Sequence, residues 1–196
     1  MLDPVRFITN LSTGEMGYAI AREAQRRRFK VTLISGPTAL VPPKGVRLIS
    51  ILTVEDLKRA LGKYFPRHDI LVMSAAVGDF IPTRRSLKKV RRQRRWKVIF
   101  REAPDLVRGI AEKKGKRVVI GFSLETEDWL AHSRKKLAAK HLDGIVANYF
   151  SPRHNPFGKG GVHAALLDAE QTRILRLRSK SELAKKLLNW VIALAQ

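Results

Sequence analysis

The stretch Ile70-Leu-Val-Met-Ser-Ala-Ala-Val77, followed at once by Gly78-Asp79, decides the fold. Eight uncharged, mostly apolar residues between two Asp-containing boundaries predict a strand buried on both faces. Such strands belong to parallel sheets, whose crossovers carry helices, so the flanks should alternate between strand and helix periods. They do. Upstream, residues 31–35 predict a short strand stopped by Gly36-Pro37, residues 46–51 a second strand, and residues 54–64 a helix capped by Thr53. Downstream, residues 118–122 and 144–147 predict strands, and residues 104–114 and 126–141 predict helices. Residues 18–28 predict an opening helix carrying Ala19, Ile20 and Ala24. The tail from 164 to 177 predicts a hairpin turning at 170–173. Residues 181–194 predict a last helix, with Leu183, Leu187, Leu188 and Val191 on one face.

The fold class is therefore α/β, a single domain over residues 1–196 with a mostly parallel sheet covered on both faces. Ligands in such sheets bind beyond the carboxyl ends of the strands. That edge collects Ala75-Ala-Val-Gly-Asp79, Gly121-Phe-Ser-Leu-Glu125 and Ala147-Asn148. With 44% apolar and 29% charged residues, the chain has the composition of a globular protein. No run approaches the roughly 18 apolar residues of a membrane span, so no membrane partner is expected. No secretory signal is read at Met1-Leu-Asp-Pro-Val-Arg6, and the absence of cysteine removes disulfides, thiolate metal sites and cysteine nucleophiles. Both features fit a cytoplasmic protein. Lys and Arg number 39 against 17 acids, a net charge of +22 that favours polyanions: nucleotide phosphates, nucleic acid or an anionic surface.

Four constellations could carry chemistry. Asn10-x-Ser12-x-Gly14-x-x-Gly17 opens a helix; its glycines admit close backbone approach, and free N–H groups with the Ser12 hydroxyl favour an anion. A loop of this length also serves as a plain turn, and it matches neither the Walker loop nor GxGxxG. Asp79 could accept from a ribose hydroxyl, help hold a metal, or simply start a loop. Residues 84–97 hold nine basic side chains in fourteen around Trp96: a phosphate grip with a stacking aromatic, a lid over a polyphosphate, or a solvated face. Lys136 and Lys140 share one helix face, as ordinary surface lysines also do. His68, His132, His141, His154 and His163 show no metal-ligand spacing, and no nucleophile triad is visible.

Taken in order, these segments resemble phosphopantothenate–cysteine ligase, the second half of many bacterial bifunctional coenzyme A biosynthesis proteins. The likeness begins at Asp3-Pro-Val-Arg-Phe-Ile-Thr-Asn-Leu-Ser-Thr-Gly-Glu-Met-Gly17 and continues through Leu33-Ile-Ser-Gly-Pro-Thr38, Ala75-Ala-Val-Gly-Asp-Phe80 and Lys89-Val-Arg-Arg92. It then takes in Ala103-Pro-Asp-Leu106, Gly121-Phe-Ser-Leu-Glu-Thr126, Lys136 through Asn148, and Ser179-Lys180, nearly the whole chain. The resemblance implies a Rossmann-like three-layer fold and a two-step reaction. A nucleoside triphosphate, CTP in most bacterial members, activates the carboxylate of 4′-phosphopantothenate, and cysteine then displaces the nucleotide to form an amide. It implies magnesium carried on the triphosphate with no dedicated protein metal site, and a cytoplasmic homodimer. A separate decarboxylase chain is a further candidate partner, and no flavin is expected, because the decarboxylase half is absent.

By the same resemblance, Asn10 stabilises the acyl intermediate and Lys89, six residues beyond Pro82, is the catalytic loop lysine. Ser12, Gly14 and Gly17 cradle the triphosphate. Ala75, Asp79, Pro104, Asp105, Leu106 and Asn148 contact the nucleotide, Phe122 lies beside the base, and Lys136 and Lys140 bind the nucleotide. The basic loop spans about residues 83–96. The sequence departs from the family pattern at Glu15, where lysine is usual, at Leu11 and Gly78, and at Gly160 and Val162 after Phe157-Gly158. Family members usually carry a strand and a Gly-rich turn immediately before Asp3. The expectation is a truncated sequence, or a fold completed another way, as by a partner chain. Two alternatives stay open: a catalytically impaired relative, and a basic nucleic-acid-binding α/β module using residues 84–97.

Overall fold

The computed structural model describes residues 1–92, 94–151, 155, 158 and 161–196; His154, Phe157 and Gly160, singled out above, lie outside them, as does Gln93 of the basic run. In chain order the elements are α1 (Glu15–Arg26), β1 (Thr32–Ser35), β2 (Arg47–Ser50), α2 (Val54–Tyr64), β3 (Ile70–Val72), β4 (Phe80–Pro82) and β5 (Phe100–Glu102). They continue with α3 (Leu106–Ala111), β6 (Val118–Glu125), α4 (Trp129–Ala139), β7 (Gly144–Tyr149), β8 (Val162–Leu167), β9 (Thr172–Leu177) and α5 (Lys180–Leu194).

The main sheet runs β3-β6-β7-β8-β9. Its first three strands are parallel, and β8 and β9 close one side antiparallel. Strand β6 shows why the layers form. Val119 and Ile120 are both fully buried, yet on opposite faces. Ile120 joins Ile20, Val146, Leu187 and Val191 beneath α1 and α5, whereas Val119 joins Ala111, Leu137 and Ile145 beneath α3 and α4. An element apolar on both faces needs helices on both faces, and the expected three-layer α/β arrangement results.

β1 and β2 form a separate parallel pair. Among the described residues no ladder joins β1 to β3, but the two strands supply the same layers. Ile34 of β1 and Leu71 of β3 pack on the cluster of Leu57, Leu61, Met73 and Leu106, while Val31, Ile70 and Val72 pack on the α1/α5 side. His68 Nε2 and Thr32 Oγ1, 3.0 Å apart, link the two sheets.

Several boundaries differ from the sequence reading, each for a local reason. The stretch 70–77 is a strand only over Ile70–Val72, and it is half-buried, because among the described residues its ladder partner is β6 alone. The Met73 N–H still reaches Ile120 O at 2.8 Å before the chain leaves the sheet. α1 begins at Glu15 rather than 18, since Gly14 at φ 78° turns the chain into the helix early. α3 begins at Leu106, where the Asp105 side chain accepts the Arg108 N–H, and α4 begins only at Trp129. The C-terminal hairpin turns at 168–171, two residues before the predicted turn. Asp168 Oδ1 accepts the N–H groups of Glu170 (2.9 Å) and Gln171 (2.7 Å), an Asx turn. The cap at Thr53 forms as read, and Asp56 completes it as a capping box.

The antiparallel arm of β4 and β5 was not anticipated. Its strands are three residues each, too short to show a period. The arm carries the basic segment away from the sheet between Pro82 and Phe100.

α1 is locked to α5 by a buried carboxylate. Glu23 accepts from Arg26 (2.8 and 2.9 Å) and Arg27 (2.7 Å), and Arg27 donates onward to Asn189 Oδ1 (2.7 Å) and Lys185 O (3.1 Å). Arg26, then Arg27, hold the Glu23 carboxyl down to about 2 against the cost of its burial.

Also on α5, Trp190 packs closely against Gly144 at the start of β7. A Cβ on Gly144 would come within 2.3 Å of Trp190 Cη2, while the indole N–H is fixed on Asp168 Oδ2 at 2.9 Å. Neither partner can yield cheaply. Gly144→Ala is expected to lower stability by about 1–3 kcal/mol, as overpacking does, seen as a lower urea midpoint at unchanged slope.

Candidate active site

Gly14 begins the site. Its positive φ sets the N-terminus of α1, no side chain caps that end, and Glu15 N has only a long 3.4 Å contact to Thr13 Oγ1. The first-turn N–H groups are thus available to an anion. Thr38 Oγ1 fixes the loop by donating to Thr13 O at 3.1 Å. Gly17 sits so close to the chain after β3 that a Cβ would meet Ser74 Oγ at 3.1 Å. Asn10 closes the loop: its Nδ2 donates to Ala76 O at 3.1 Å and approaches Val77 O at 3.5 Å. Asn10 and Gly17 therefore bring the two ends of the loop against residues 74–77, while Gly14 faces Thr38 and Leu40 and the Ser12 N–H turns back onto Asn10 O at 2.8 Å.

The next group hangs on Asp79. Its backbone carbonyl accepts the Ala103 N–H at 2.8 Å, which brings Pro104-Asp105-Leu106 beside it. Asp105 caps α3 through Oδ1 and pairs with Lys140 Nζ through Oδ2 at 3.1 Å. Burial pushes the Asp105 carboxyl up, but the Arg108 N–H and Lys140 outweigh it, leaving the group below its ordinary value.

A third group lies at the ends of β6 and β7. Lys136 Nζ pairs with Glu125 Oε1 at 2.6 Å, His132 Nδ1 lies 3.7 Å from Glu125 Oε2, and Asn148 Nδ2 donates to Ser123 O at 3.3 Å. Phe122 is half-buried on the α1/α5 side. All three groups stand at the carboxyl edge of β3, β6 and β7, the edge the strand pattern indicated.

Lys89 is different. No hydrogen bond or ion pair among the described residues joins it to those groups. It lines a cavity of about 480 Å³ with Arg6, Val90, Arg91, Arg92 and Trp96. The Arg6 guanidinium stacks 4.5 Å over the Trp96 ring.

Three residues here escaped the sequence reading. Asp3, fully buried, accepts from both Arg6 and the Val90 N–H; the Asp-Pro turn was the visible signal, but its partner lies 87 positions away. Arg6 was passed over within the same motif. Lys180 pairs directly with Glu15 and also donates to Gly158 O at 3.4 Å. The negative charge that Glu15 brings to the loop is thus matched by a half-buried lysine on α5.

Residues 1–194 match the family model described as DFP, the DNA/pantothenate metabolism flavoprotein C-terminal domain. The chain belongs to this family. Relatives include the coenzyme A biosynthesis bifunctional protein CoaBC of Bacillus subtilis, 35% identical over 198 residues, covering 100% of this chain and 49% of that protein. CoaBC of Vibrio parahaemolyticus is 36% identical over 191 residues, covering 95% and 48%. The chain spans about half the length of these curated relatives. Among solved structures, the C-terminal domain of a CoaBC superposes with TM-score 0.82 at 30% identity, covering 97% of this chain and 87% of that one. A Cab2 mutant in complex with phosphopantothenate-cysteine shares the fold at TM-score 0.78 and 18% identity, covering 97% and 80%.

In this DFP domain, removing the Glu15 charge frees Lys180 beside an uncapped helix start. Glu15→Gln is expected to tighten pyrophosphate binding by roughly two- to five-fold, the range for one charge near a helix terminus. Calorimetric titration at low and high salt checks this, with the gain shrinking as salt rises.

Proposed function

We propose that the chain joins 4′-phosphopantothenate to cysteine in coenzyme A biosynthesis, at the expense of CTP. What carries the proposal is Asn10: its side chain bridges from the glycine loop to the carbonyls after β3, so that one amide spans the anion cradle and the nucleotide-contacting strand end. Membership of the DFP family and the CoaBC relatives support the reading. They do not favour the impaired or nucleic-acid-binding alternatives.

In the first step a carboxylate oxygen of 4′-phosphopantothenate attacks the α-phosphorus of CTP. A P–O bond forms to give an acyl–CMP mixed anhydride, the α–β anhydride bond breaks, and pyrophosphate leaves. In the second, the cysteine amine attacks the acyl carbon; the amide C–N bond forms, CMP leaves, and the amine proton passes to solvent. Little covalent work is asked of the protein. It must orient two anions and offset their repulsion with fixed donors. The first-turn N–H groups of α1 and the Ser12 hydroxyl would take the triphosphate, and the Asn10 amide would meet the acyl group. Lys136 and Lys140 rest on Glu125 and Asp105 in pairs that are partly exposed and therefore weak. A polyphosphate can displace both carboxylates, transferring the lysines to the nucleotide. Lys89 would supply a further cation from the basic segment.

No group of three or more His, Asp or Glu that could cage a metal occurs among the described residues. Magnesium carried on the triphosphate would keep its waters and need few protein ligands; bound there it would offset phosphate charge. The choice of CTP over ATP rests on the family resemblance. Exposed apolar side chains on the N-terminal segment and the arm (Val5, Phe7, Ile8, Phe80, Leu87 and Ile99) support a homodimer. The bifunctional relatives, twice as long, support a decarboxylase partner. The proposed activity belongs in the cytoplasm, and no helix among the described residues is long and apolar enough to cross a membrane.

The test is pyrophosphate release from purified protein given 4′-phosphopantothenate, cysteine, magnesium and CTP or ATP. Release is expected with CTP, falling about 10²- to 10³-fold in Asn10→Ala, the usual cost of one lost donor to a developing charge. No release with any nucleotide would overturn the proposal.

A further inference from the structure

Residues 84–97 contain nine cations and no acid. A segment of that composition repels itself, and its internal hydrogen bonds among the described residues are confined to the Ser86–Lys88 turn. The counter-charge comes from the far end of the chain. Asp3 is 0% exposed, and its two oxygens take five donors. Oδ1 accepts the N–H groups of Val5 (3.0 Å) and Arg6 (2.9 Å), forming the turn that follows Pro4. Oδ2 accepts Arg6 Nε (2.9 Å) and Nη2 (2.5 Å) and, from the basic segment, the Val90 N–H (3.1 Å). Arg6 Nη2 returns to Val90 O at 2.7 Å, and Ser86 N–H donates to Leu2 O at 3.0 Å. Among the described residues no other carboxylate contacts the segment.

From this geometry we infer that Asp3 is the positioning residue that holds the Lys89 segment against the N-terminal turn leading into the glycine loop. The inference rests on the ligase reading for its catalytic consequence. Asp3 is too buried to meet a substrate, so it acts through others. Lys89 immediately precedes the tethered Val90, and Asn10 lies four residues beyond the tethered Arg6. One carboxylate thus couples the lysine of the basic segment to the chain that enters the glycine loop. The guanidinium it pins forms one wall of the 480 Å³ cavity, with Trp96 stacked on it. Without the carboxylate, the nine cations lose the contact that fixes their register, while the sheet and helices, to which Asp3 makes no hydrogen bond or ion pair among the described residues, stay intact.

The substitution Asp3→Asn keeps the size of the side chain but presents an amide N–H₂ to donors that need an acceptor. Three readouts together test the tether in the full chain. Amide exchange at Val90 is expected to accelerate at least ten-fold, with β6 and β7 amides unchanged. A fall of about 10²-fold in kcat is expected, the scale for misplacing a reacting group, with the KM for cysteine unchanged. Combined with Lys89→Ala, Asp3→Asn should add no further loss, because both remove the same placed cation. Val90 exchange at the wild-type rate would overturn the tether, and full additivity with Lys89→Ala would overturn the positioning role. If Asp3→Asn fails to fold, Val90→Pro deletes the donor on the basic segment alone and should reproduce the fall in kcat; wild-type kcat in that variant would overturn the inference. An inactive wild-type protein would sink the ligase reading instead, and the exchange rates would still decide the tether.

Discussion

Negative charge is scarce in this chain, and where each carboxylate goes organises the rest. Seventeen acids restrain 39 cations, so a cation without a placed partner is repelled by many others. The carboxylates fall into two kinds. Asp3 and Glu23 are buried, with side chains 0% and 6% exposed, and each takes several donors. Removing a partner from such a group strands a buried charge, a strongly destabilising change. These two fix architecture: Glu23 locks α1 onto α5, and Asp3 ties the N-terminal turn to the basic segment. Glu125 and Asp105 are the second kind, holding Lys136 and Lys140 at the sheet edge in partly exposed pairs worth little on their own. They keep the lysines in place without committing them.

Placement of the glycine loop follows from the first kind. α1 can aim its N-terminus only if the helix itself cannot slide, and the Glu23–Arg27–Asn189 chain prevents sliding. Gly14 then turns the loop, Gly17 lets it approach Ser74, and Asn10 closes it on Ala76. A rigid helix start facing the ends of parallel strands is a general solution to anion binding. Here it is combined with lysines that can change partners.

Much of this was legible in the sequence, because periodicity survives wherever an element is buried. The strands beginning at Val118 and Gly144, the capped helix after Thr53 and the last helix with its Leu183–Val191 face were read almost as they stand. The carboxyl edge of the sheet was read for the same reason. Failures came where long-range pairing decides the outcome. Ile70–Val77 looks like a full strand, yet only three residues find a ladder. β4 and β5 are too short to carry a period. Glu15 reads as a charge at odds with its loop until Lys180, 165 positions later, is seen beside it. Asp3 is the sharpest case, since Val90 stands 87 positions away and no local pattern announces the contact.

In the proposed reaction this edge directs a carboxylate onto the α-phosphorus of a nucleotide. Carboxylate-labelled 4′-phosphopantothenate, carrying oxygen-18 at both carboxyl oxygens, tests it most directly. Attack at the α-phosphorus followed by amide formation transfers one labelled oxygen to the nucleoside monophosphate, which mass spectrometry reads. Singly labelled CMP and unlabelled pyrophosphate are expected. Label in inorganic phosphate, or amide product formed with unlabelled CMP, would contradict it.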